Sequence, residues 1–224
     1  RLGLSGTGIT SLAHGGLVPQ AVGNANSTVE ELRLENFSLH NWQINDRMSL
    51  EISFIYQTST ITQSGDVTHE RDFSFVRPKL DYRFDITQSL QLRTTIEKTV
   101  SQLSFSEFSA TTDNSDDDQN TQAGNPEIAQ EQAWNYEMNL EYRLPNSIGV
   151  LNTQLYYRDL TNVIDRIDVS PSATDLQSAR GNIGDGKRYG ANFDASTRLG
   201  YLGVPNALFT LGLSRRAALM RLTF

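Results

Sequence analysis

The sequence predicts an all-β chain, an antiparallel up-and-down transmembrane β-barrel, and three observations carry that prediction. Apolar and aromatic residues recur at every second position through one segment after another, while helical periodicity is poor almost everywhere. The alternating segments are long for strands, near the ~9–11 residues a tilted strand needs to cross a bilayer. Their connections alternate short and long without exception, which gathers tight turns at one end of the sheet and large loops at the other. Bulk composition agrees. The 224 residues are 38% hydrophobic, and mean hydropathy is −0.42, as expected where only one face of each strand is apolar. No run approaches the ~18 consecutive apolar residues of a membrane helix. A net charge of −7 argues against a general nucleic-acid binder, so none is expected as a partner. With no cysteine there is no disulfide framework, thiolate zinc site or thiol nucleophile. The opening Arg1-Leu2-Gly3-Leu4 has no basic region followed by an apolar core, so no signal peptide is read there.

About nine strands are expected in order. Leu32, Leu34, Phe37 and Leu39 mark the first, and a parity change near Asn36 suggests a bulge. Leu50, Ile52, Phe54 and Tyr56 mark the second. Phe73 and Phe75 lead into Leu80, Tyr82 and Phe84, with a second bulge expected near Pro78. Leu90, Leu92 and Ile96 follow, continuing toward Leu103 and Phe105. Two long strands meet at Pro145-Asn146-Ser147. On the first, Tyr136, Met138, Leu140 and Tyr142 alternate with Glu137, Asn139, Glu141 and Arg143. On the second, Leu151, Leu155 and Tyr157 alternate with Asn152, Gln154 and Arg158. Tyr189, Ala191, Phe193 and Ala195 form a further strand, Phe209 to Leu213 a short one, and Ala218 to Phe224 the last.

Short connections are expected near 43–46, 85–89, 145–149 and 200–206, and long polar ones near 60–70, 110–132 and 164–187. The "SRR" junction offers no loop between the last two strands, so a missing segment between Ser214 and Arg215 is expected. Residues 1–29, rich in Gly, Ser and Asn, read as irregular loop or displaced fragment. The alternating end "ALMRLTF" places Phe224 on the periplasmic side and resembles the signal recognised by the barrel-assembly machinery.

Motifs for chemistry are weak. Asp113, Ser115 and Asp117 have the spacing that opens a calcium loop, but Asp118 stands where Gly is needed and Gly124 where Glu is needed. A solvated acidic loop is the better reading. The glycine-rich "NIGDGKRYG" precedes a strand instead of opening a helix, so it reads as a loop root and not as a phosphate cradle. His14, His40 and His69 lack zinc-site spacing. No catalytic, cofactor or metal site is expected. Trp134, Tyr136, Tyr142, Tyr156 and Tyr157 lie toward strand ends, as in interfacial aromatic girdles.

Three stretches carry a resemblance. "NPEIAQEQAWNYEMNLEYRL" is similar to the segment of TonB-dependent outer-membrane receptors in which Asn-Pro and a Glu precede an aromatic-rich strand; here these are Asn125, Pro126, Glu127, Glu131, Trp134, Asn135, Tyr136 and Glu137. "LNTQLYYRDLTNVID" resembles the family's next strand, and "GNIGDGKRYGANFDASTRL" the opening of a later one. The resemblance runs from Glu30 to Asn206, with the terminal Phe extending it. It implies the C-terminal part of a barrel of about 22 strands, with a plug and a TonB box that are not recognisable in this chain. It further implies uptake of a scarce nutrient: iron–siderophore, haem, cobalamin, carbohydrate or peptide. The partners would be outer-membrane lipid, TonB through a missing N-terminal region, the assembly machinery and an unidentified nutrient. Under this reading Tyr136, Met138, Leu140, Tyr142, Leu155, Tyr157 and Phe193 meet lipid. Glu137, Asn139, Glu141, Arg143, Asn152, Gln154 and Arg158 line the lumen. Two alternatives stay open from the residues alone: a self-contained barrel of about eight to ten strands acting as a passive porin or scaffold, and a soluble β-sandwich.

Overall fold

A computed structural model of the protein describes residues 2–5, 9–13, 16–20, 26–66, 68–108, 111–112, 121–170, 172, 176–204 and 206–222. Thirteen strands occur among them: β1 Leu2–Ser5, β2 Ile9–Ala13, β3 Gly16–Gln20, β4 Asn26–Asn45, β5 Met48–Gly65, β6 His69–Asp85, β7 Leu90–Val100, β8 Thr111–Thr112, β9 Thr121–Ala123, β10 Gln132–Arg143, β11 Gly149–Asp168, β12 Gln177–Arg198 and β13 Leu208–Leu222. The eight long ones, β4 to β7 and β10 to β13, form one antiparallel sheet in chain order, an up-and-down meander. The sheet does not close on itself. Among the described residues, β4 pairs beyond β5 only with β1, from Leu2↔Val29 to Ser5↔Asn26, and β13 pairs with β12 alone.

The short connections gather at one end. Leu144 N donates to Gly149 O at 2.9 Å across the Pro145–Ser147 3₁₀ turn, where Asn146 and Ser147 take positive φ. Neighbouring turns are stitched by Asp85 N to Arg47 O at 2.8 Å, Arg143 N to Ser89 O at 2.8 Å and Arg198 N to Ile148 O at 2.6 Å. Asp85 also accepts from Arg83 Nη2 at 2.6 Å and Gln91 Nε2 at 2.7 Å. These bonds, led by Arg83, hold its carboxyl below the usual carboxylate range.

Several expectations are corrected. No bulge occurs near Asn36 or Pro78, because β4 pairs β5 without a shift from Ser27↔Gly65 to Gln43↔Ser49, and β5 pairs β6 without one throughout. In β5 and β6 the parity change has another cause. The apolar residues Leu50, Ile52, Phe54, Tyr56, Leu80 and Tyr82 share one face toward the turn end, while Ile61 and Phe73 toward the loop end lie on the other with Val29, packed under Leu103, Phe105, Phe108 and Ile128. Register is constant, and the face that is covered changes. In β4 Leu32 and Leu34 keep the Tyr56 face and Phe37 and Leu39 the Ile61 face, a change that this covering does not explain. Pro78, which has no N–H to donate, falls where the β6–β7 ladder stops at Lys79.

Two of the expected long loops are mostly strand. β5 and β6 run on to Gly65 and His69, and β11 and β12 to Asp168 and Gln177, so only 101–131 remains a long connection. The Thr and Ile of "TSTITQ" favour extended backbone, and Gln57, Ser59 and Gln63 are buried on the covered face. Residues 2–5, 9–13 and 16–20, read as irregular, are strands, with β2 and β3 forming a separate hairpin. The last two expected strands are one: β13 runs through Ser214 and Arg215 in unbroken register with β12, giving eight long strands and not nine. Phe224 and the acidic run 113–118 lie outside the described residues, as does His14.

Candidate functional site

Strand alternation builds the site, because successive side chains point to opposite faces and directly paired residues share one. On the apolar face Tyr136 is opposite Tyr157, Met138 opposite Leu155, and Leu140 opposite Thr153, which in turn is opposite Phe193. The structure therefore brings all seven residues expected to meet lipid onto one surface. Tyr136, Met138, Leu140, Tyr142 and Leu155 are 37% to 43% exposed. Among the described residues nothing covers that face. The Tyr136 and Tyr157 rings lie 5.9 Å apart, and Trp134 and Tyr136 stack at 6.4 Å, a ring cluster toward the loop end.

The residues expected to line the lumen share the opposite face. Asn135 is opposite Arg158, Asn139 opposite Gln154, and Glu141 opposite Asn152. Most charges there neutralise each other along a strand: Arg143 reaches Glu141 at 2.8 Å, Arg83 Asp85 at 2.6 Å, and Arg33 Glu31 at 2.8 Å. Asn139 Nδ2 donates to Glu137 Oε1 at 2.7 Å. The result is a hydrogen-bonded polar wall.

Near the loop end that wall is covered by residues 101–108 and 124–131. Asn182 clamps the second segment, accepting from Ala129 N at 2.8 Å while its Nδ2 donates to Ala129 O at 2.9 Å and Asn162 O at 2.8 Å. Asn125 Nδ2 donates to Arg180 O at 2.9 Å, Arg71 Nη1 donates to Ile128 O at 2.7 Å, and Glu131 Oε2 accepts from Ile164 N at 3.2 Å. Ile128 is completely buried beneath. Asn125, Pro126 and Glu131 thus act locally as the strap's fasteners. The clamp residue Asn182 opens the Asn-x-Gly of the glycine-rich "GNIGDG", at the β11–β12 bulge, where Asn162 and Gly184 have positive φ. His69 lies 3.5 Å from Glu127. Among the described residues no group of His, Asp or Glu is arranged to hold a metal ion.

An eight-strand meander with a bare apolar face, a polar face and its one long connection, 101–131, at the end opposite four short ones is the layout of a piece of membrane barrel. A family profile described as TonB dependent receptor-like, beta-barrel, matches residues 7–218. The chain belongs to the TonB-dependent receptors. It is accordingly part of an outer-membrane β-barrel. Similar solved structures include the copper transporter OprC, at 12% identity and a TM-score of 0.66, covering 85% of this chain and 29% of that one. The alcaligin outer-membrane receptor FauA from Bordetella pertussis matches at 12% identity and a TM-score of 0.55, covering 87% and 31%. The Serratia marcescens hemophore receptor HasR, solved with its hemophore HasA and heme, matches at 16% identity and a TM-score of 0.57, covering 79% and 35%. The chain therefore spans about a third of these receptors' length, and at such identities the likeness concerns the fold. No curated protein matches the sequence.

Proposed function

We propose that this chain is wall from the C-terminal part of a receptor that takes up a scarce nutrient with energy supplied through TonB. The observation that supports it is the open-edged sheet whose bare apolar face and hydrogen-bonded polar face continue in register from β5 through β7 and β10 to β12. In this reading the apolar face meets lipid and the polar face lines the lumen. Burying the apolar face in hydrocarbon is favourable at ~25 cal/mol per Å², whereas leaving it in water is not. The turn end faces the periplasm and the strapped end the exterior. The nutrient falls in the iron–siderophore, cobalamin, carbohydrate or peptide class, and the assembly machinery recognises the Phe224 end. TonB would engage a region N-terminal to this wall.

Uptake by cells carrying the whole receptor tests the proposal. Labelled ferric siderophore, cobalamin, oligosaccharide and peptide are each supplied with and without an uncoupler. Uptake of one class that collapses with the uncoupler is the expected result. Entry of small solutes unaffected by it would instead mark a passive pore.

A further inference from the structure

We propose that the polar face carries an anion-binding recess, formed by Arg158, Arg188 and Arg216 around the Tyr156 ring, for a small molecule bearing carboxylate or phosphate groups. The proposal rests on that face being the lumen. Arg158 and Arg188 are directly opposite each other in the β11–β12 ladder. Like charges so placed destabilise a sheet unless something neutralises them. Elsewhere on the wall Arg33, Arg77, Arg83 and Arg143 each have a carboxylate within 2.6 to 3.4 Å, and Arg93, itself without an ion pair among the described residues, stands opposite an arginine that Asp85 already neutralises. Among the described residues neither Arg158 nor Arg188 has an ion-pair partner.

The recess encloses about 230 Å³, and Glu137 is the one carboxylate lining it, already engaged by Asn139. Three guanidiniums therefore face one carboxylate. The geometry is built and not a loose surface cluster. A Cβ at Gly190 would meet Tyr156 Oη at 2.6 Å and Cζ at 2.8 Å, so the absent side chain lets the ring lie across β12. The Arg158 guanidinium sits 5.8 Å from the centre of that ring, held over it. Below, Asn192 Nδ2 donates to Gln154 Oε1 at 2.6 Å, Ser214 Oγ donates to Asn192 Oδ1 at 2.8 Å, and Arg216 Nε donates to Ser214 Oγ at 3.3 Å. Planar guanidinium forks match carboxylate and phosphate oxygens in pairs, and a lumen-sized anion would remove the Arg158–Arg188 repulsion as it binds.

Calorimetric titration of the whole receptor, purified in neutral detergent at low ionic strength, tests this with citrate and, separately, pyrophosphate as probes. Saturable binding of one of them is expected, weakened about tenfold or more in Arg158→Gln and in Arg188→Gln and unchanged in Arg143→Gln. That last variant removes the same charge from an arginine paired with Glu141. Strand circular dichroism qualifies each variant first, and if one fails to fold the other decides. Equal weakening by all three, or no saturable binding of either probe, overturns the proposal. The lumen reading is tested apart from it: Asn139→Cys, labelled by a water-soluble maleimide in liposomes, reports that face whether or not any anion binds.

Discussion

At the scale of single residues, Leu140 is the most informative position on the apolar face. It is in register with Leu92 on β7 and Thr153 on β11, on the turn-end half of the 12-residue β10. If that face meets lipid, Leu140→Arg should destabilise the bilayer-folded protein, by up to the ~2–4 kcal/mol of a midplane position, measured by denaturant unfolding in vesicles; no loss would place the face in water. Asp85, the last residue of the 17-residue β6 at the turn end, gives a pH prediction. Its carboxyl is depressed by Arg83 and Gln91, so its contribution is complete above the unfolded-chain value and is lost as pH falls through the lower folded value. Asp85→Asn should flatten the acid limb of the stability profile, and an unchanged limb would show the bond network there to be inert. Both side chains were legible as strand and turn residues. The Arg158–Arg188 juxtaposition was not, because strand periodicity gives the face of each residue and says nothing about which residue stands opposite.

Elements show why the alternation was read correctly and the bulges were not. Constant period two in β10 and β11 identifies both faces from sequence, since only one face there is apolar. In β5 and β6 the covered face changes along the strand, so the apolar parity flips while the pairing does not. A sequence pattern records environment, and a change of environment imitates a change of register. β13 carries the same lesson in sharper form. Phe209, Leu211, Leu213, Ala217 and Leu219 share one face with Arg215, which stands opposite Ala191, while Leu208, Ala218 and Met220 lie on the other. The strap of residues 124–131 has its own test. Asn182→Ala removes three hydrogen bonds, costing on the order of 1–3 kcal/mol. Amide exchange at Ala129 should accelerate markedly while exchange in β10 stays slow; unaltered exchange at Ala129 would mean Asn182 is not the clamp.

For the whole molecule, the wall is defined by what its two faces touch. Fold class, strand order and the turn end were legible because tight turns and alternation are local. The strand extensions beyond the expected membrane span were not, because polar Thr, Ser and Gln there are buried by segments far away in sequence, as Gln63 donating to Phe108 O at 3.2 Å illustrates. The absence of cysteine makes the central claim directly measurable, since any introduced thiol is unique. Single cysteines placed at each position from 136 to 143, in protein folded into liposomes, report lipid through quenching by brominated acyl chains and water through maleimide labelling. Even positions should be quenched and odd positions labelled, in strict alternation along β10. Uniform labelling of both parities, or quenching at 137, 139 and 141, would contradict the account.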